Sequence, residues 1–493
     1  VELGEVENAL RSHPDVGEAV VIARRAAGDK QLIAFVTAAG RPADAPPAAT
    51  ESASEDGHVD SWQSYYDSAY GQLRSGSRRD DFVGWDSSYD GQPIPKDEMR
   101  AWLDETIDRV QQLAPRRVLE IGCGGGLVLF RLAPGCERYS ACDFSPSVID
   151  AVRRELDEPG RGITGVELFV ARADHAAAAT TGPFDLVILN SVVQYFPSVD
   201  YFEQVLASVL PLVAPGGAIF LGDLRHAGLE RLFHTSVALA RASAEDSAAE
   251  VLGEIDALAA RERELLLDPA IATALAARHR RIVGAYARPK RNPADNELSR
   301  FRYDMVLTLD SPGEVAPSTA FWDWDDRTSD LAHIAARLRA ETPASVVLRG
   351  VPNRRLDPFG AALSALEQAD PDHPYAALRA ELSRRADRGA DPDQLWRLAD
   401  ALPYRVDVRW TAGDRRGRLD ILFTATDGNQ TDGAAAVPAW PDERQPTGTY
   451  GQALREFASE PAARSRLSAL GEAAQDHVAE RLPSYMIPAR VIA

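Results

Sequence analysis

The sequence predicts an α/β chain: a mostly parallel, doubly wound sheet with an antiparallel closing strand, flanked by a small α+β piece before it and a helical piece after it. Three observations predict it. Short apolar runs alternate with helical stretches from Arg117 to Gly222, a pattern that builds parallel sheets covered on both faces. A glycine loop, Gly122-Cys123-Gly124-Gly125-Gly126, breaks that alternation directly after its first strand. Stretches 38–57 and 426–447, rich in Pro, Ala and Thr, set this middle apart from two flanking pieces as linkers do.

The elements follow in order. The opening piece reads as a helix over Glu5–Ser12 and strands over Ala19–Ala23 and Gln31–Val36. From Trp62 to about Leu113 the chain reads as helical around an aromatic loop, Gly84–Tyr89. Strands are expected at Arg117–Ile121, Tyr139–Asp143, Val166–Val170, Phe184–Leu189 and Ala218–Gly222, with helices over Leu127–Leu132 and Ser147–Glu155. A mostly helical stretch runs to about Arg278, and Arg281–Ala287 with Arg300–Leu309 forms the closing antiparallel pair. The last piece, 448–493, reads as two helical stretches.

A chain of 493 residues exceeds one ordinary core and predicts two or three domains. Its 45% hydrophobic and 26% charged residues allow those domains to bury cores. A formal charge of -20 disfavours nucleic-acid and membrane-surface partners. Cys123, Cys136 and Cys142 lack paired spacing, which argues against a disulfide scaffold or a zinc site and suits a reducing cytoplasm. No metal is expected. No apolar run approaches the roughly 20 residues that cross a bilayer. Val1-Glu2-Leu3-Gly4 is neither a signal peptide nor a natural start, so an excised piece is expected.

A strand followed by Gly122-x-Gly124-x-Gly126 and a helix lets the backbone turn tightly and approach a ligand with no Cβ in the way. Alone, that indicates a nucleotide-like cofactor. A nicotinamide fingerprint would place glycine where the chain has Leu127, and Glu120 before the loop suits a ligand ammonium group. Both favour S-adenosylmethionine. Asp143 ends the next strand, where a carboxylate takes ribose hydroxyls. Asp174, beside Arg172 and Ala173, is placed to accept from an adenine amino group, with a solvated turn aspartate as the competing reading.

Expected cofactor contacts are Glu120, Gly122, Cys123, Gly124, Gly126, Asp143, Phe144, Ala173, Asp174, Asn190 and Ser191, with Tyr65, Tyr66 and Trp85 shielding a sulfonium. Asn190 and Tyr195, after the fourth strand, stand where an open parallel sheet presents side chains to its ligand. Methyl transfer is an in-line displacement, so holding a nucleophile roughly 3 to 3.5 Å away matters more than a strong base. Catalytic candidates are Asn190, Tyr195, Asp223, Arg225 and Glu297, although Asp223 and Arg225 read equally well as an ion pair bracing their loop. His234 reads as a core-edge histidine. The cluster of Arg278, His279, Arg280, Arg281, Arg288, Lys290 and Arg291 reads as a solvated face, or as the receiver of a phosphopantetheine phosphate.

The runs Gly84–Tyr89, Pro93-Ile94-Pro95, Val118–Gly126, Asn190–Pro197, Gly222–Arg225, Asn296-Glu297 and Arg300–Asp304 resemble the methyltransferase domains of nonribosomal peptide synthetases, over roughly residues 60–425. Val1–Glu7 with His13-Pro14 resembles the eighth core motif of an adenylation domain, and Leu482–Pro488 the start of its tenth. The resemblance implies a class I, Rossmann-like methyltransferase interrupting the small C-terminal adenylation subdomain. The implied domains are 1–37 and 448–493 for that subdomain, 58–311 for the methyltransferase core with a helical cap, and 312–425 for an accessory substrate-side lobe, with linkers at 38–57 and 426–447.

Insertion at that site implies methylation of the backbone α-amine of an aminoacyl thioester in antibiotic biosynthesis. Alternatives are side-chain O- or S-methylation, or an inert docking insert. Implied partners are a phosphopantetheinyl carrier domain, the large adenylation subdomain and, through it, an MbtH-like protein. Two features depart from the pattern: the usual threonine of the loop is Gly125, and no Asn-Gly-Lys supplies an adenylation lysine, so no adenylation is expected.

Overall fold

The computed structural model describes residues 2–26, 29–39, 56–64, 67, 82, 84–160, 162–310, 319–326, 328–384, 389–426, 440 and 454–493. The expected linkers lie almost wholly outside these residues.

The helix Leu3–Arg11 buries Val6 and Leu10, four residues apart on one face, against Ala474 and Val478 of the helix Pro461–Ala479. Beside it β1 (Val16–Ala26) and β2 (Asp29–Ala38) pair antiparallel, each longer at both ends than the apolar run that announced it. The two ends of the chain meet in this sheet.

The large sheet begins with β3 (Arg117–Ile121), β4 (Arg138–Asp143), β5 (Val166–Val170), β6 (Phe184–Asn190) and β7 (Val213–His226), all parallel. A short β8 (Leu266–Leu267) pairs with the end of β7. β9 (Ile282–Pro289) and β10 (Arg302–Leu309) close it antiparallel, giving the order β5-β4-β3-β6-β7-β10-β9. Alternate side chains feed two cores: along β6, Leu186 and Ile188 enter one face while Val187 and Leu189 enter the other. Strand order reverses between β3 and β6, the switch point outside which such sheets bind ligands.

A third sheet, β11 (Ala320–Asp323), β12 (Ser345–Val351), β14 (Leu419–Ala425) and β13 (Tyr404–Trp410), takes the order β11-β12-β14-β13 and has its own core around Trp322, Leu348 and Phe423. The Tyr286 hydroxyl of β9 donates to the Val408 carbonyl at 2.9 Å and ties it to the large sheet. Last, β15 (Arg490–Ile492) pairs in parallel with β2.

Several expected elements differ. The helix after the glycine loop is one turn, Leu129–Leu132, which Pro134 and Gly135 tighten into a 3-10 turn and end. Between the helical stretch 56–64 and the helix Lys96–Gln112, residues 84–95 form a loop with a bridge from Asp86 to Pro93. β7 continues through Asp223 because β10 keeps pairing with it; a register shift opposite Tyr303 and Met305 leaves Asp223 at φ 62 as a bulge. After the expected boundary at 448, residues 454–459 pack on the large sheet rather than the small one: Leu454 joins its core, and the Ser459 hydroxyl accepts from the Leu266 N–H at 2.9 Å.

Candidate active site

The glycine loop follows β3 because Gly122, at φ 77, occupies the left-handed region and has no room for a side chain; a Cβ there would stand 2.3 Å from Val192 Cγ2. The loop is one wall of a cavity. Asp143, at the end of β4, accepts from the Gly124 and Ser145 N–H groups, both at 3.0 Å, so one carboxylate shapes the loop and caps the turn into the helix Pro146–Leu156. Burial pushes its carboxyl up to about 6. Glu120, at the end of β3, is 3% exposed and accepts from the Tyr139 hydroxyl at 2.7 Å. Burial pushes it up to about 8, against the help of that hydrogen bond.

The residues 56–64 lean over this wall: Gln63 Nε2 donates to the Phe144 carbonyl at 3.1 Å, and Arg172 pairs with Asp56 at 2.9 Å. Trp62 packs on Tyr195 with ring centroids 4.7 Å apart. Phe144, Ala173, Asn190, Ser191 and Tyr195 line the cavity with the loop. Asn190 Nδ2 donates to Ser191 Oγ at 3.2 Å while its Oδ1 has no partner among the described residues.

The far wall comes from distant segments. Trp85 packs on Trp102 at 4.7 Å. Glu297 caps the loop by accepting from the Ser88 N–H and hydroxyl, each at 2.9 Å. Glu264 accepts from Arg225 at 2.8 Å, and Arg302 reaches in from the start of β10. Behind Arg302, Asp223 is fully buried: it accepts from Arg302 at 2.6 Å, Trp102 Nε1 at 3.0 Å and Ser191 Oγ at 3.1 Å. Lys290 lies between Asp223 at 3.6 Å and Asp304 at 2.6 Å, and Arg109 joins Asp304 at 2.5 Å. Burial alone would raise both carboxyls, but Arg302 and Lys290 hold Asp223, and Lys290 and Arg109 hold Asp304, below the usual range.

The structure thus gathers most of the expected residues around one cavity and sets some aside. Tyr65 and Tyr66 lie outside the described residues. Asp174 does not line the cavity; its carboxylate turns to Arg172 at 3.5 Å and to Tyr201. Asp223 and Arg225 stand behind the wall, each in ion pairs, Arg225 with Glu262 and Glu264 at 2.8 Å. His234 is a buried histidine 3.7 Å from Glu262.

The basic cluster is not one solvated face. Its members disperse: Arg278 ends the helix Ile271–Arg278 and pairs with Glu203, Arg281 precedes β9 and pairs with Asp310 at 2.6 Å, and Lys290, just after β9, turns into the interior. Sequence reasoning missed Trp62, Trp102, Glu264 and Arg302. Arg302 alone had a signal, its place in the run Arg300–Asp304. Among the described residues no group of three or more His, Cys, Asp or Glu is placed to hold a metal, and no helix is long and apolar enough to cross a membrane.

Residues 119–219 match the profile of a methyltransferase domain. Chondramide synthase cmdD of Chondromyces crocatus is 35% identical over 514 residues, covering 100% of this chain and 12% of that protein. The nonribosomal peptide synthetase kk1B of Curvularia clavata is 28% identical over 517 residues, covering 100% of this chain and 4% of that protein. The chain therefore spans 12% or less of the length of these two relatives. Among solved structures, the N-methyltransferase NodS of Bradyrhizobium japonicum is 16% identical and covers 44% of this chain and 98% of its own, with a TM-score of 0.29.

Proposed function

We propose that the chain, similar along its length to nonribosomal peptide synthetases and matched over residues 119–219 by a methyltransferase profile, uses S-adenosylmethionine to methylate the backbone α-amine of an aminoacyl thioester tethered to a phosphopantetheinyl carrier. One observation carries the reading: a single cavity runs from the glycine loop to a wall of Tyr195, Glu264, Glu297 and Arg302. One end suits the cofactor and the other a second, polar reactant.

The residues fit S-adenosylmethionine. Gly125 leaves open space beside the loop, Glu120 offers a carboxylate to an ammonium group, and Asp143 suits ribose hydroxyls. Bound there, the cofactor supplies a methyl group on a sulfonium, an electrophile that needs no strong base. Trp85 and Trp102 present aromatic faces that favour a nearby cation. A free α-amine has a pKa of roughly 7.7 to 8.0, so about a tenth to a sixth of it carries a free lone pair at pH 7 and only modest help is needed to present it. The cofactor would leave as the neutral sulfide, keeping the carbon–sulfur electron pair, while Tyr195, Glu264, Glu297 and Arg302 would hold the amine in line with the methyl group it bonds. The proton leaves nitrogen for Glu297, Glu264 or water.

On this reading the small sheet of β1, β2 and β15 is an adenylation C-terminal subdomain interrupted by the methyltransferase, and 312–425 is a substrate-side lobe. The large adenylation subdomain and the carrier are its partners, in a reducing cytoplasm that suits three free cysteines.

Mass spectrometry tests it. A carrier loaded with an aminoacyl thioester, incubated with the chain and S-adenosylmethionine, should gain one methyl group on the α-nitrogen. Turnover that persists when that nitrogen is blocked assigns side-chain O- or S-methylation instead, and calorimetric cofactor binding without any turnover leaves an inert docking insert.

A further inference from the structure

Arg302 has the geometry of a substrate contact. Its Nη1 donates to Asp223 at 2.6 Å, and among the described residues no other protein acceptor takes its remaining N–H groups, which lie along the cavity. Asp223 is gripped by Trp102, Ser191 and Lys290, so it holds the guanidinium plane still. Trp85 lies 5.7 Å from the guanidinium. Although burial works against its charge, Asp223, then Glu264, Tyr195 and Glu297 stand close enough to favour it. Arg302 opens β10, beyond β7, whereas the cofactor residues end β3 and β4. It therefore faces the second reactant.

We propose that the open edge of Arg302 receives the carbonyl oxygen of an α-aminoacyl group and so fixes the neighbouring amine for transfer. The inference rests on the α-amine reading above and adds a substrate class to it. A planar guanidinium suits an oxygen acceptor, and a fork fixed in advance loses little entropy on binding. Asp223 already neutralises the charge, so the edge suits a neutral carbonyl better than a free carboxylate. Acyl thioesters and amides then qualify where simple amines and free amino acids do not. Asp223 is a positioning residue that acts through Arg302.

The test compares α-aminoacyl N-acetylcysteamine thioesters with thioethers in which the carbonyl is a methylene. The intact chain and two variants, R302Q and R302K, supply the enzyme. Because removing the carbonyl also makes the amine more basic, the informative quantity is the preference of each variant divided by that of the unaltered chain. R302Q should reduce the preference for the carbonyl about 10- to 100-fold, the worth of a hydrogen bond to a charged group, while calorimetric affinity for S-adenosylmethionine stays unchanged. R302K keeps a cation against Asp223, and with it the fold, but loses the planar fork, so it should lose most of the preference too. The unaltered preference in both variants overturns the proposal. So does a cofactor affinity that falls as far as turnover, which moves Arg302 to the cofactor. If instead the unaltered chain leaves the α-nitrogen unmethylated on every thioester, the underlying reading fails.

Discussion

The two walls of the cavity bury carboxylates to a similar depth and treat them in opposite ways. On the glycine-loop wall, Glu120 and Asp143 have hydroxyl and backbone N–H partners but, among the described residues, no cation, and burial pushes them up to about 8 and about 6. On the far side, Asp223 and Asp304 are at least as buried, yet Arg302, Lys290 and Arg109 hold them below the usual range. The difference is the presence of a cation, not the depth. On the proposed reading a positively charged ligand completes the first wall, whereas the second is neutralised in advance.

The sharpest way to break this comparison is to remove a carboxylate from each wall. Asp304→Ala takes the nearest carboxylate from Lys290 and Arg109, leaving Lys290 with Asp223 at 3.6 Å and Arg109 with Glu105 at 3.1 Å, and losing one member of a buried ion group costs about 3–5 kcal/mol. Denaturant unfolding should show that loss for Asp304→Ala. Asp143→Ala strands no cation and should cost far less stability, lowering cofactor affinity instead by about 1.5–3 kcal/mol. Equal stability losses would mean that depth alone governs both walls.

Titration separates the walls without mutation. A carboxyl raised in the folded state stabilises fully below its unfolded value of about 4 and loses that contribution as pH rises through about 6 for Asp143 and about 8 for Glu120. The paired Asp223 and Asp304 behave oppositely: their contribution is present above the usual carboxylate range and lost as pH falls through it. Because an ammonium group needs Glu120 ionised, S-adenosylmethionine affinity should rise between about pH 6 and pH 8, with proton release at pH 7. Calorimetry in buffers of different ionisation enthalpy measures that release, and uptake of protons would remove Glu120 from the cofactor contact.

The same contrast explains what the sequence disclosed. The glycine-loop wall uses residues from 120 to 143, two strand ends and the segment between them, so spacing alone brought Glu120, Gly122 and Asp143 together. The parallel sheet and its antiparallel closure were legible for a similar reason, since each strand announces itself by a local apolar run. The far wall joins Trp85, Trp102, Glu264, Glu297 and Arg302, whose contacts arise only when β7, β10 and the loop at 84–95 pack. Asp223 was visible as a charge at a strand end. That it faces inward, toward Lys290, follows from a bulge at φ 62 that nothing in its neighbouring residues announces.

A smaller effect sharpens the comparison inside the cofactor wall itself. Gly122 and Gly126 both have positive φ, and a Cβ on either would collide, with Val192 at 2.3 Å or Phe130 at 2.7 Å. Gly125 has neither constraint: its φ lies outside the left-handed region and nothing stands within 4 Å of its Cβ position. Glycine there costs conformational entropy on folding with no steric return. Gly125→Ala should therefore stabilise the chain by about 0.4–1 kcal/mol, read as a shift in denaturation midpoint at constant slope, whereas Gly122→Ala should destabilise it. Cofactor affinity then completes the comparison. If it is unchanged in Gly125→Ala, the ligand meets backbone at Gly122 and Gly124 alone; if it falls while stability rises, the open space at Gly125 belongs to the ligand, and the wall gives up stability to keep it.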